Sequence, residues 1–346
     1  MEEKLREGVD RLCEWFAGDT APDRRNPGGV LVEPGGDVDP VLAAGLVAPG
    51  AWLFAEDADG GGTGVPGISV GGGLAHPGDE LSVADEVYVQ TFDYCSLPYL
   101  SIAGPTVVRI TGEADHAAFL ADADRAAHGG VWAAALGHSS VHLADIGALA
   151  APARRPGTGR LYVTTDGTVR TGIGGSDLAR VEDGAEAVAM ALAAHGGDPT
   201  LDGVLERSVL LAGAASRPWL GRYLRALDVR RRLAGRFGGE PTVSGFGVRL
   251  TPGLPTAPVE AVDAPLITEH DGTCYAVPAD GSRLFRLGRD SARLLEVFAV
   301  LDEAEQAAAE AARLFQVTPS RAAELHADLT ARLGGSGSPA RAEGDR

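Results

Sequence analysis

Leu5, Val9, Leu12 and Phe16 recur at three- and four-residue intervals. That spacing lines one face of an α-helix and predicts an amphipathic helix over residues 2–17, with Trp15 beside the stripe. Gly18, Pro22, Pro27, Gly28 and Gly29 then interrupt the chain. Short apolar runs at 30–32 and 52–54 read as strands around a helical patch at 41–46, a small β-α-β unit. Glycines dominate 60–73 around Ile68-Ser69-Val70, and strands are predicted at 87–92 and 106–110 before a helix at 114–127. The runs 160–164 and 168–171 flank Asp166-Gly167, a hairpin signal because glycine accepts positive φ without a Cβ clash. A helix at 185–194 follows. Ser216, as cap, and Pro218 open an arginine-rich helix reaching about residue 237. There is no internal repeat of 20 to 50 residues. The first 255 residues thus read as mixed α and β.

The C-terminal third is patterned more clearly. Residues 266–268, 274–277 and 283–287 read as three short strands, the last two joined by a turn at Ala279-Asp280-Gly281. Asp290 is positioned to cap a helix carrying Leu294, Leu295, Phe298 and Leu301. Asp302 with Glu305 forms a D-x-x-E capping box for a second helix through Ala308, Ala311, Leu314 and Phe315. Thr318 caps a third, with Pro319 at its first position, where a missing N–H costs nothing. Ala322, Leu325, Leu329 and Leu333 form its apolar face. The glycine- and serine-rich run from Gly334 predicts that 335–346 is a disordered tail. The predicted fold class is α+β: a winged-helix-like domain of three strands then three helices at 258–334. Before it come a mixed α/β domain at 1–215 and an arginine-rich helix with connector at 216–257.

Composition narrows the function classes. The 346 residues carry 48 acidic against 30 basic side chains, for a net charge of -18. That balance argues against non-specific nucleic-acid binding, which rests on cations neutralising phosphates. No stretch of 18 apolar residues predicts a membrane span, and the acidic start Met1-Glu2-Glu3-Lys4 is not a signal peptide. Cys13, Cys95 and Cys274 have no C-x-x-C spacing and suit a reducing compartment. The expectation is a cytoplasmic, soluble protein.

Candidate chemistry is sparse. Gly62-Thr63-Gly64-Val65-Pro66-Gly67 matches G-x-G-x-x-G by letter, but Pro66, Gly67 and further glycines cannot open the helix that a dinucleotide site needs. It reads as a loop. A P-loop is excluded, since the only lysine is Lys4. His138 and His142 have the i, i+4 spacing of paired metal ligands, with Asp145 as a third, but no glutamate stands between them and they read as ordinary histidines. Cys95 reads as a small buried thiol, and Asp57 with Asp59 as a solvated turn, not a calcium loop. Residues 217–236 hold seven arginines and one acid, Asp228. This basic segment either docks an acidic partner or phosphate, or packs against the protein's own acidic surface. The reading favours the latter.

The runs Gly272-Thr273-Cys274-Tyr275-Ala276-Val277, Ser282-Arg283-Leu284-Phe285-Arg286-Leu287 and Gly288-Arg289-Asp290-Ser291-Ala292-Arg293-Leu294-Leu295, with the two helices after them, resemble the PqqD-like RiPP recognition element. Members of that family bind the leader of a ribosomally made precursor peptide. The family's usual Asn is Gly288 here, a residue that tolerates the same positive φ. The resemblance covers about 75 residues. More loosely, the whole chain is similar in layout to recognition proteins of daptide-type pathways, with runs such as Val243-Ser244-Gly245-Phe246-Gly247.

The resemblance implies a non-catalytic protein without cofactor or metal, whose partners are a precursor leader and the pathway's modifying enzymes, not nucleic acid or membrane. It implies a leader lying along Arg283, Leu284, Phe285, Arg286 and Leu287, beside a third helix presenting Arg321, Leu325, Asp328, Leu329 and Arg332. Strand alternation puts Leu284 and Arg286 on one face and Arg283, Phe285 and Leu287 on the other. Which face meets the leader stays open, as does whether Phe285, Leu325 and Leu329 are core. A helix-turn-helix regulator is the competing reading, from the helices flanking Gln316-Val317-Thr318, although Glu324 and Asp328 would repel phosphate. An enzyme with chemistry in the N-terminal region is the third.

Overall fold

A computed structural model describes residues 2–18, 28–56, 58, 65–153, 160–257, 264–279, 283–301 and 303–334. The chain is mixed α and β and divides into two units. One comprises Met1–Ala126 with Val131–Gly238, the other Ala127–Gly130 with Gly239–Arg346.

In the first unit α1 (Glu2–Ala17) forms where its periodicity predicts and buries Leu12, Trp15 and Phe16. It is followed by β1 (Gly29–Val32), α2 (Val38–Ala43), β2 (Trp52–Ala55), β3 (Gly67–Gly72) and β4 (Glu80–Val83). Next come β5 (Val87–Asp93), β6 (Thr106–Arg109), α3 (Glu113–Gly129), β7 (Val141–Leu143) and α4 (Ile146–Ala150). The unit continues with β8 (Arg160–Val163), β9 (Thr168–Arg170), β10 (Ala179–Arg180), α5 (Gly184–Ala194), α6 (Arg207–Ala215) and α7 (Leu220–Phe237).

The strands form one sheet in the order β10-β9-β8-β1-β2-β3-β4-β5-β6-β7. β8, β1, β2 and β3 are parallel, as are β5, β6 and β7. β4 runs antiparallel to both its neighbours, so all seven share one direction. Alternation sorts the side chains. Leu31, Phe54, Ile68, Val107 and Tyr162 pack with Leu12, Trp15 and Phe16 of α1. Val30, Leu53, Leu161 and Val163 pack on the opposite face with Val41, Val188 and Leu192. The β8–β9 hairpin forms with Gly167 at φ 82°. Ser216 differs from expectation: it is the C-cap of α6, its hydroxyl donating to the Gly213 carbonyl, while α7 starts at Leu220 without a side-chain cap. No helix among the described residues is long and apolar enough to cross a membrane.

The second unit has an antiparallel sheet in the order β11-β12-β13-β14, formed by β11 (Thr242–Val243), β12 (Leu266–His270), β13 (Thr273–Val277) and β14 (Phe285–Leu287). Helices α8 (Arg289–Val300), α9 (Ala304–Phe315) and α10 (Pro319–Gly334) follow. Thr318 accepts from the Arg321 amide at 3.3 Å, and Pro319 opens α10 as predicted. Other local expectations are corrected. The third strand begins at Phe285, two residues later than its pattern suggested. Asp290 lies within the first turn of α8, and the cap position belongs to Gly288, whose φ of -67° needs no glycine. The capping-box residue Asp302, most of the turn at 279–281 and the tail 335–346 lie outside the described residues.

Residues 239–257, expected as a connector, belong to this unit, while α7 belongs to the first. The reason is a carboxylate. Glu296 of α8 is 1% exposed and accepts from the amides of Leu250 and Thr251, at 2.8 and 2.6 Å, and from the Ser244 hydroxyl. Arg249 donates to Ser244 Oγ at 3.1 Å and to the carbonyls of Pro255 and Ala257. Burial pulls its pKa down, opposed by the charge of Glu296. An ionised carboxylate stripped of such donors costs several kcal/mol. A fragment beginning at residue 258 is therefore expected to be less stable than one beginning at 239 by about 3–5 kcal/mol, read as the difference in their urea unfolding free energies.

Candidate functional site

The candidate site is the free side of the small sheet. Which backbone groups face it follows from one hydrogen bond outside the strands: the Ser244 amide donates to the Ile267 carbonyl at 2.8 Å. β11 pairs Val243 with Thr268, so Ser244 lies opposite Ile267, and that residue's N–H and C=O point toward β11. Antiparallel ladders alternate, so Thr268 points toward Tyr275 on β13. Tyr275 therefore points away from β14, while Cys274 and Ala276 bond toward their partners Leu287 and Phe285. What remains is Arg286, whose N–H and C=O face outward from the sheet edge.

Side chains follow the same alternation. Phe285 and Leu287 are half-buried and pack with Ile267, Cys274, Ala276, Leu295 and Leu333. Leu329 joins the same cluster, so the strand and α10 share an apolar floor. Arg286 is exposed on the other face. Leu284, half-buried, and Arg283, exposed, precede the strand.

The α10 candidates separate. Leu325 packs among Leu294, Val297, Ala311 and Ala322, between the helices. Arg321 is paired with Glu324 at 2.9 Å. Asp328 and Arg332 are exposed. Leu333, read from sequence as part of the apolar face of α10, is buried in the cluster of Phe285 and Leu287, whereas Glu296 is not among the sequence candidates. The signal for Glu296 is its place four residues after buried Ala292, an acid on the helix's apolar side.

The remaining candidates do not converge. Gly62 and Gly64 lie outside the described residues, as do Asp57 and Asp59; Gly67 opens a strand where a dinucleotide site needs a helix. His138 follows the 3₁₀ turn Ala134–Gly137, whereas His142 lies on β7, so they share no helix face. Asp145 is held by Arg160 at 2.6 Å. No cluster of three or more His, Cys, Asp or Glu among the described residues could hold a metal ion. Cys95 is exposed, contrary to expectation, because it sits on the 3₁₀ turn Tyr94–Tyr99; a hydrogen bond to Asp115 helps push its thiol up to about 11. Cys13 and Cys274 are buried.

The arginine-rich segment turns inward. Arg222 and Arg230 are buried, and Arg230 lies over the Trp132 ring at 4.6 Å. Arg217 grips Asp124 with two bonds of 2.8 and 2.6 Å. Asp228 takes both Arg231 and Arg232, each at 3.1 Å. Comparison with known protein families, curated proteins and solved structures finds no match.

Burial, aided by the Arg231 charge, lowers the His142 pKa to about 3. The unfolded chain takes up this proton near pH 6.5 and the folded one does not, so its contribution to stability is complete above pH 6.5 and declines below. The expected loss is about 1.4 kcal/mol per pH unit between roughly 6 and 3. A His142→Gln variant should show a shallower acid limb in urea unfolding measured at successive pH values.

Proposed function

We propose that this chain is a non-catalytic binding protein of a ribosomal-peptide pathway, daptide-type in layout. In this reading its second unit, a winged-helix-like recognition element, captures an extended precursor leader. The rest of the chain presents that leader to modifying enzymes. The carrying observation is the outward-facing N–H and C=O of Arg286 at the free edge of β14, beside the apolar floor of Phe285, Leu287 and Leu329. An unpaired strand edge invites another strand, whose backbone bonds give affinity while its alternate side chains give specificity.

Charge supports the same reading. Arg283, Arg286 and Arg332 are exposed and form no ion pair among the described residues, which suits an acidic leader. Affinity in the micromolar range, about -8 kcal/mol, suffices for a complex that must release its product. The regulator reading is weaker, because Arg321 on the would-be recognition helix is already neutralised by Glu324.

Fluorescence anisotropy tests this with labelled leader peptides from reading frames flanking the gene and random duplex DNA as control. Saturable peptide binding without duplex binding is expected. Arg286→Pro removes the outward donor and should weaken binding at least about tenfold, equivalent to one or two backbone hydrogen bonds, while the fold persists. Phe285→Pro removes a donor directed at β13 and should instead destabilise the unit by about 3 kcal/mol. Unchanged leader binding by folded Arg286→Pro would sink strand addition at this edge.

A further inference from the structure

We propose that the first unit binds a small monocarboxylate on Arg109, a site separate from the peptide edge. Arg109 is the last residue of β6 and only 7% exposed. It shares strand parity with Val107, so its side chain enters the face of the sheet that packs on α1. A guanidinium carries five N–H donors. Among the described residues those of Arg109 meet one acceptor, the Leu74 carbonyl at 2.7 Å, and no carboxylate within ion-pair distance.

The nearby acids are engaged elsewhere. Asp145 takes Arg160 at 2.6 Å. Glu33 accepts from the Thr165 amide at 2.8 Å and bonds the Tyr162 side chain. Asp79 accepts from the His76 amide at 2.8 Å. Burial draws the Arg109 pKa down, and the fields of Asp145, Tyr162 and Asp79 oppose it. The cation is thus held by a neutral carbonyl and by fields acting at a distance, without an anion in direct contact among the described residues, an arrangement that an incoming anion completes.

The placement is that of a ligand site. Arg109 ends β6, Leu74 follows β3, Asp145 follows β7 and Glu33 follows β1. These strands all run one way, and in parallel sheets ligands gather outside the carboxyl ends. Residues 75–78, which follow Leu74 directly, are exposed, so the Leu74 carbonyl that holds Arg109 lies next to a surface segment. Ligand chemistry follows from shape and charge. The planar fork matches a carboxylate with two parallel bonds, whereas Asp145 and Asp79 repel the second charge of phosphate.

The test is thermal unfolding of the full chain with sodium formate, acetate or benzoate, against phosphate and chloride at equal ionic strength. A saturable rise in unfolding temperature is expected with the carboxylates only. Arg109→Lys keeps the charge but not the fork and should need at least tenfold more carboxylate for half its shift; Arg109→Met should show none. No carboxylate-specific shift in the parent, an equal shift with phosphate, or an unchanged half-saturation in Arg109→Lys would each overturn the proposal.

Discussion

The second unit is organised around one carboxylate buried in a helix. Glu296 cannot lie inside an apolar cluster without donors, and the chain that supplies them, from Ser244 to Thr251, is drawn onto α8 as a consequence. That docking carries Ser244 to its place opposite Ile267, where its amide closes the outer side of β12. One edge of the small sheet is therefore covered by β11. The alternation of the ladder then leaves Arg286 facing outward at the other. The bond made on one edge and the groups offered at the other follow the same alternation of the ladder.

The two units use charge differently. In the first, Arg217 ahead of α7 pairs with Asp124, Arg231 and Arg232 pair with Asp228, and Arg230 lies over the Trp132 ring, so much of the arginine run of this chain of net charge -18 is taken up internally. In the second, Arg283, Arg286 and Arg332 remain exposed around the free edge. In the proposed function these cations would steer an acidic leader toward that edge, while the acidic balance of the rest of the chain disfavours acidic partners elsewhere.

Sequence alone revealed what is local. The helical stripe of α1, the Asp166-Gly167 hairpin and the Thr318-Pro319 start of α10 each depend on neighbours a few residues away, and each forms as read. Strand β11 was illegible because two residues, Thr242 and Val243, show no alternation; they form a strand only by pairing with β12. The adjacency of β8 and β1 depends on pairing across more than a hundred residues. Cys95 was misread because exposure was inferred from residue type while a 3₁₀ turn sets it. At the candidate site the apolar side chains Phe285, Leu287 and Leu329 were legible. The outward direction of the Arg286 backbone was not, since the register of β14 on β13 decides it.

Addition of the proposed leader as a strand at Arg286 is read residue by residue by amide hydrogen exchange. In the free chain the Phe285 and Leu287 amides should already be protected by β13 and the Arg286 amide should exchange freely. Adding leader peptide should bring new protection at Arg286, with its two neighbours changing little. Saturating leader that leaves Arg286 exchange unchanged, or protection confined to α10, would contradict strand addition and place recognition elsewhere in the unit.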